Sequence, residues 1–317
     1  MKHGLRIAAL RLARAAGLFA LARRATRDEA RIVCYHGYAY RDEHRFVPQL
    51  FMAPATFERR LHVIARSRLR VVPLDELVSR LEQGRPVGGL LCLTIDDGWT
   101  GFARFAWPAL KQRGWPCTLY LTTWYAIRGW PVLNVLRRYL AWRGVALAPE
   151  AESPAAERAL LQQAAGQAGI DLSCPDGQLF CITPPAELAA LVQQGLDLQV
   201  HTHRHRLPSA PDALAAEIDD NRRHLAEAGN PRADHLCYPS GEYTAAQIPL
   251  LAGMGLRSAT TTQPGLVNTR SDRWQLPRLL DSDHLHDVEF EAELSGLLSL
   301  VRRALGRSPT PAPPGMQ

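Results

Sequence analysis

The sequence predicts an α/β protein whose parallel strands close into a barrel of about seven or eight strands. Two observations carry this reading. From Arg31 onward, short apolar runs alternate with amphipathic stretches at the spacing of βαβ units. One run, residues 90–95, is continuous with only Thr94 polar, as expected of a strand covered on both faces. That many strands within one domain favours closure over an open sheet.

Taken in order, residues 32–35 read as the first strand. Thr56 is placed to cap a helix whose apolar face is Phe57, Leu61 and Ile64. A short strand over 70–72 precedes Pro73, which opens a helix carrying Leu74, Leu77, Val78 and Leu81. After the 90–95 strand, residues 101–113 read as helical and 116–121 as the next strand. The rhythm then pauses over about 124–185, a mostly helical insertion with one clear pattern (Val132, Val135, Leu136, Leu140) and a loop around 173–177. This insertion is expected to cover or extend a site rather than to form its own domain. Strands then follow at 196–200, 235–238, 258–261 and 276–280, with helices at 213–228, 245–252 and 288–305. The Pro-rich tail, 306–317, is expected to be disordered. The layout is therefore an N-terminal segment over 1–29, a barrel over 30–305 and a tail.

Apolar content of 46% and charged content of 21% are ordinary for a globular chain of 317 residues. The net charge of +6 comes almost wholly from arginine and suggests an acidic partner or a solvated basic surface. No helix-turn-helix, zinc-finger or aromatic RNA-binding signature accompanies it, which disfavours nucleic acid. The six cysteines include no CxxC pair, and four sit in apolar runs, a usage that fits a reducing compartment. Residues 1–24 are basic and rich in Ala and Leu, with arginines interrupting what a secretory signal would keep apolar. They read as a basic amphipathic helix that either lies on an anionic membrane or packs on its own domain. No segment reaches the roughly 18 apolar residues of a membrane span. The expected location is cytoplasmic, at the inner face of the membrane if the helix binds lipid.

Chemistry in such folds gathers where strands end. Three polar segments do follow strands. In Thr94-Ile95-Asp96-Asp97-Gly98, adjacent carboxylates on an extended chain point apart, so one can hold a metal while the other faces a water. The alternative is a helix N-cap at Asp97. In His201-Thr202-His203-Arg204-His205, the first and last histidines are four apart and can reach one point, a metal-ligand spacing, with His203 directed elsewhere. In Cys237-Tyr238-Pro239-Ser240-Gly241, a Pro–Gly turn exposes backbone amides able to hold an oxyanion, or is an ordinary loop. Two histidines and one carboxylate with an open position describe a catalytic zinc-type site, and the spare carboxylate can take a proton. That set hydrolyses an amide or an ester.

LTIDDG, HTHRH and YPSG, in this order, resemble the polysaccharide deacetylase superfamily, carbohydrate esterase family 4. IVCYHG, ATFERRL and RVVPLDEL look like its bacterial branch. The resemblance covers roughly 30–125 and 185–285 and implies a distorted (β/α) barrel of about seven strands. It implies Asp96 as general base, and a divalent metal, most simply Zn2+, on Asp97, His201 and His205. It implies the Ser240 amide as oxyanion donor and Thr202 as a support of the histidine loop. The chain departs from the family where Cys237 stands for an arginine that orients the base, with Arg278 as the candidate substitute, and where Arg206 stands for a proline. The late general-acid histidine falls near Asp283-His284-Leu285-His286 and is assigned to His286. His36 and Tyr238 are expected to line the substrate site. The implied activity is removal of N-acetyl groups from amino sugars of a polysaccharide, oligosaccharide or lipid-linked glycan. A catalytically silent glycan-binding barrel and a deformylase or amidase of other substrates are the alternatives. Oligomeric state is open.

Overall fold

The computed structural model describes residues 2–306, so nearly all of the expected tail lies outside the described residues. Seven strands run parallel in chain order around a closed barrel: β1 (Arg31–Tyr35), β2 (Leu90–Asp97), β3 (Thr118–Leu121), β4 (Asp197–Val200), β5 (His235–Cys237), β6 (Ser258–Pro264) and β7 (Leu276–Leu280). Registry of Arg31 with Leu91 and of Val33 with Leu279 closes the ring on both sides of β1. The short strand Arg70–Val71 adds outside it, on the edge of β2 below β3. The barrel is distorted at two seams. Strands β4 and β5 share a single registered pair, Val200 with Leu236, and the β6–β7 register slips between Thr260 and Pro264.

Alternate residues of each strand enter different environments, as a period of two requires. Val33, Leu91, Leu93, Ile95, Leu119 and Leu198 pack in the large core beneath the helices. Ile32, Leu90, Cys92, Tyr120, Cys237 and Leu276 form a separate cluster with Leu74, Leu77 and Val78. The second set shares its face with Thr94, Asp96 and Arg278, so the barrel interior changes from apolar to polar as it rises toward the strand ends. All eight residues of β2 are buried.

Four helices differ from expectation for local reasons. The helix expected to be capped by Thr56 is Pro54–Arg66, begun by Pro54 with Ala53 as its cap, so Thr56 lies within it. The 101–113 segment opens as a π-helix, Phe102–Ala106, before Trp107–Gln112. Pro108 has no N–H for the Arg104 carbonyl, which accounts for the widened turn. Both terminal helices are broken, at Gly17 and Gly296, into Lys2–Ala15 with Leu18–Ala25 and Asp287–Leu294 with Leu297–Ala304. Both glycines take left-handed φ, 78° and 85°. In the insertion, helices Thr123–Arg128, Pro154–Gln167 and Pro185–Gln193 join the expected Leu133–Trp142, and the 173–177 loop is a tight two-stranded hairpin. All six cysteines are free thiols.

Of the two readings of the N-terminal segment, packing on its own domain is observed for one face. Leu10 and Phe19 are buried against Val288 and Ala292. Arg6 and Arg14 pair with Glu289 and Glu291, each at 3.1 Å.

The loop between β7 and helix Asp287–Leu294 is tied down by Arg60, a fully buried guanidinium. Its Nε donates to Asp281 Oδ2 at 2.8 Å, one terminal nitrogen to the Leu285 carbonyl at 2.6 Å and the other to Asp287. Removing one partner of a buried pair leaves a desolvated charge. Arg60→Ala should therefore cost about 3–5 kcal/mol of stability, read as a lower urea midpoint. Arg60→Ala/Asp281→Ala should lose less than the sum of the single variants; strict additivity would show that the pair is not coupled.

Candidate active site

At the end of β2 the backbone separates the two carboxylates. Asp96 keeps the barrel-facing side, whereas Asp97 has φ 70° and turns toward the loops. Thr202 and His205 also have left-handed φ, 62° and 55°, as does Ser240 at 56°. Four of the six described non-glycine residues with positive φ thus lie in this one site, a concentration of backbone strain typical of functional geometry.

The strained loops bring Asp97, His201 and His205 together. His201 Nε2 lies 3.3 Å and His205 Nε2 3.5 Å from the same oxygen, Asp97 Oδ1. Both Nε2 atoms are buried without a hydrogen-bond partner. His201 Nδ1 donates to the Cys237 carbonyl at 2.9 Å, which leaves Nε2 to the cluster. Trp99 Nε1 donates to the other Asp97 oxygen at 2.8 Å. Two imidazole nitrogens and one carboxylate oxygen on one point suit a divalent ion such as zinc. Burial, reinforced by the charge of His201, holds His205 down to about 4, so its ring is neutral at pH 7. Burial also opposes charge on His201, but Cys237, Asp97 and Asp96 raise its pKa above the ordinary histidine value. Against burial, His201 and His205 hold Asp97 down to about 2.

Asp96 is reached from across the barrel by Arg278 of β7. The guanidinium is fully buried and bidentate, with both N–O distances 2.7 Å. It is itself oriented by the Thr261 carbonyl at 2.9 Å, Thr94 Oγ1 at 3.2 Å and Cys237 Sγ at 3.1 Å. Burial would raise the Asp96 pKa, but Arg278 more than offsets it and keeps the group a carboxylate far below the usual range.

Asp97, His205 and Ser240 line a cavity of about 360 Å³ with Trp99. Tyr125, Val132, Asn134, Val135 and Ile182 of the insertion supply one wall of it. Ser240 also lines an adjoining cavity of about 420 Å³ with His36 and His284. His36 Nε2 is 3.7 Å from Asp96 Oδ2.

Two expected residues are elsewhere. His286 caps helix Asp287–Leu294, accepting from the Val288 amide at 3.1 Å, and its Nε2 faces Arg11. It lies in a different cleft, among Arg14, Arg59 and Arg66. Tyr238 is buried, donates to the Trp274 carbonyl at 3.0 Å and stacks on Tyr243, so it does not face substrate. His203 points away from the cluster, stacked on His224.

Sequence reasoning missed the residues that hold the histidine loop. Asn221 is fully buried; its amide nitrogen donates to the Thr202 and Leu121 carbonyls, both at 2.9 Å. Glu217 accepts from the Arg204 amide at 2.7 Å and from Arg206 Nε at 3.0 Å. These two lie four apart on the face of helix Pro211–Glu227 that carries Leu214, Ile218 and Leu225. Polar residues on an apolar helix face are the signal that would have found them.

No curated protein matches the chain. Among solved structures, the Streptococcus pyogenes deacetylase PplD in complex with acetate superposes with a TM-score of 0.59 at 18% identity, covering 86% of this chain and 97% of that one. IcaB from Ammonifex degensii gives 0.58 at 16% identity, covering 85% and 97%. A de-N-acetylase from Aggregatibacter actinomycetemcomitans gives 0.57 at 14%, covering 82% and 97%. At these identities the likeness establishes the fold. The sequence profile of the polysaccharide deacetylase family matches residues 84–259, from the approach to β2 into β6. That span is more than half of the chain and contains Asp96, Asp97, His201 and His205, while His36 and Arg278 fall outside it. The chain therefore belongs to the polysaccharide deacetylase family and is a hydrolase of carbon–nitrogen bonds.

Proposed function

We propose that the protein removes N-acetyl groups from amino sugars of a polysaccharide, oligosaccharide or lipid-linked glycan, with a divalent metal, zinc by donor type, held by Asp97, His201 and His205. The observation that carries the metal is the pair of buried, unpartnered ring nitrogens aimed at one Asp97 oxygen. A divalent ion there supplies polarisation of the amide carbonyl and acidifies a water to a pKa of about 7. Asp96, kept ionised by Arg278, takes the proton of the attacking water. We assign to the Ser240 amide, at a left-handed turn lining the cavity, the role of holding the developing oxyanion. His36 delivers a proton to the departing amine as the carbon–nitrogen bond breaks, giving acetate and a free amino sugar. This role moves from His286 to His36 because His36 sits beside Asp96 and on the wall of the adjoining cavity, whereas His286 lines a different cleft. His36→Gln should lower kcat about 10²-fold with KM little changed; a raised KM at undiminished kcat would return His36 to substrate binding.

The deciding experiment is acetate release from N-acetylglucosamine oligomers, with and without chelator, beside His205→Ala. Release that needs metal and is lost in the variant supports the proposal. Stoichiometric metal without release, followed by acetate release from lipid-linked glycans, would support the proposal for that substrate; formate release from N-formyl substrates would replace the substrate and retain the site. Absence of both metal and release would overturn it.

Metal uptake should also be linked to protons. The raised pKa of His201 means that its ring carries a proton near neutrality which a ligand nitrogen cannot keep, whereas His205 is already neutral. Affinity should fall as pH drops below the His201 pKa, with about one proton released per ion. Calorimetry in buffers of different ionisation enthalpy reads this number, and a pH-independent affinity would contradict it.

A further inference from the structure

The N-terminal helices are apolar on two faces, and only one is used internally. Helix Lys2–Ala15 docks through Ile7, Leu10 and Ala13. On the opposite side Leu5, Ala8, Ala9, Leu12, Ala15 and Ala16 form a stripe at helical spacing, all exposed. Leu5 and Leu12 are 75% and 72% exposed. Leu18 and Leu21 extend this apolar exposure onto helix Leu18–Ala25, and Val301 and Leu305 add to it from the helix that packs against Leu18–Ala25. Of the eight large apolar side chains exposed among the described residues, six belong to these three contacting segments. Isolated exposed leucines need no explanation, but a concentration of them marks a contact surface.

Charge identifies the partner. Residues 1–27 contain six arginines and a lysine and no carboxylate. Arg6 and Arg14 are spent on Glu289 and Glu291, and Arg23 is half-buried in a cleft with Glu291, but the exposed Arg24 makes no ion pair among the described residues, and Arg27 meets only the exposed Asp28 at 3.6 Å. Leucines facing outward beside cations without acids suit a surface that accepts apolar side chains at shallow depth and presents negative charge above them. A protein partner could meet either need, whereas an anionic bilayer meets both along the whole stripe. No described helix is long and apolar enough to cross a membrane, so the contact is interfacial.

We infer that the exposed face of helices Lys2–Ala15 and Leu18–Ala25 docks the protein on an anionic lipid bilayer, with Leu5, Leu12, Leu18 and Leu21 entering the interface and Arg24 and Arg27 meeting the headgroups. None of these residues belongs to the active site, so docking and catalysis can be scored separately.

The test is co-sedimentation of the full chain with vesicles of phosphatidylcholine alone and of phosphatidylcholine mixed with phosphatidylglycerol. The protein should bind the mixed vesicles, release them as salt is raised, and leave pure phosphatidylcholine in solution. Leu5→Ser/Leu12→Ser/Leu21→Ser should weaken the partition about tenfold or more, with thermal melting and the activity on soluble oligomers unchanged. Should that variant melt early, Arg24→Glu/Arg27→Glu, at positions fully outside the packed face, carries the test with a similar expected loss of about tenfold. Absence of binding to the mixed vesicles, or binding that neither variant reduces, overturns the inference. So does a dimer in light scattering that the serine variant converts to monomer, which would assign the face to a second copy of the chain.

Discussion

Asp96→Asn should lower kcat by about 10²–10⁴-fold, the usual contribution of a positioned general base, while leaving the metal stoichiometry intact. The reason is the division of labour at the end of β2. Asp97 turns outward at φ 70° and shares Oδ1 between His201 and His205, whereas Asp96 stays on the interior face and is held by Arg278. Asparagine keeps the shape of Asp96 but removes its charge, and with it both the ability to take a proton and the ion pair with Arg278. Metal content by atomic absorption and acetate release under saturating substrate check the two halves. Loss of metal in Asp96→Asn would mean that the carboxylates are not separated in function as they are in space, and full turnover would place the base elsewhere.

Arg278→Met should produce the second large effect, on stability and on pH dependence together. It strands Asp96, a carboxylate only 2% exposed, in the barrel interior. Stranding one member of a buried ion pair costs about 3–5 kcal/mol. The sign of its pH dependence follows from the direction of the Asp96 shift. With Arg278 present the folded pKa lies below the unfolded value, so the pair contributes stability above the unfolded pKa and loses it as pH falls toward the folded one. With Arg278 gone, the largest influence opposing burial is lost, the smaller ones of His36 and His201 remain, and the folded pKa rises. The defect in the variant should then be largest at neutral pH and shrink as pH drops toward about 4. The acid limb of kcat/KM should move to higher pH by the same cause. Asp96→Asn/Arg278→Met should regain part of the stability lost by either single variant, because no charge is left without its partner. Additive losses, or a defect that does not vary with pH, would show that Arg278 acts by packing alone.

How much was readable in advance depended on the distance along the chain over which each feature is specified. Strands β1, β2 and β7 were legible almost to the residue, because a buried run and its flanking turns are properties of fewer than ten neighbours. Helix starts and breaks were less so. Pro54, Pro108, Gly17 and Gly296 act through single-residue backbone constraints that an apolar period averages over. The insertion was underread: helix Pro154–Gln167 is rich in alanine and carries only a weak apolar stripe, since its packing is largely against helix Leu133–Trp142.

The sequence by itself determined the strand-and-helix order and the clusters DDG and HTHRH at strand ends, whose members are neighbours in the chain and meet whatever the rest of the fold does. It also determined the acid-free, arginine-rich character of the first 27 residues. Only the tertiary structure decided which distant residues complete the site. Closure of the barrel in register sets β7 beside β1 and brings Arg278 across to Asp96, 182 positions away in the chain. The same closure leaves His36 at the rim and turns His286 to a helix cap and Tyr238 into the core. These outcomes depend on register, on which of two alternating faces a residue occupies, and on which helix covers it. A one-residue slip in any strand would reverse them, and no local pattern records that choice.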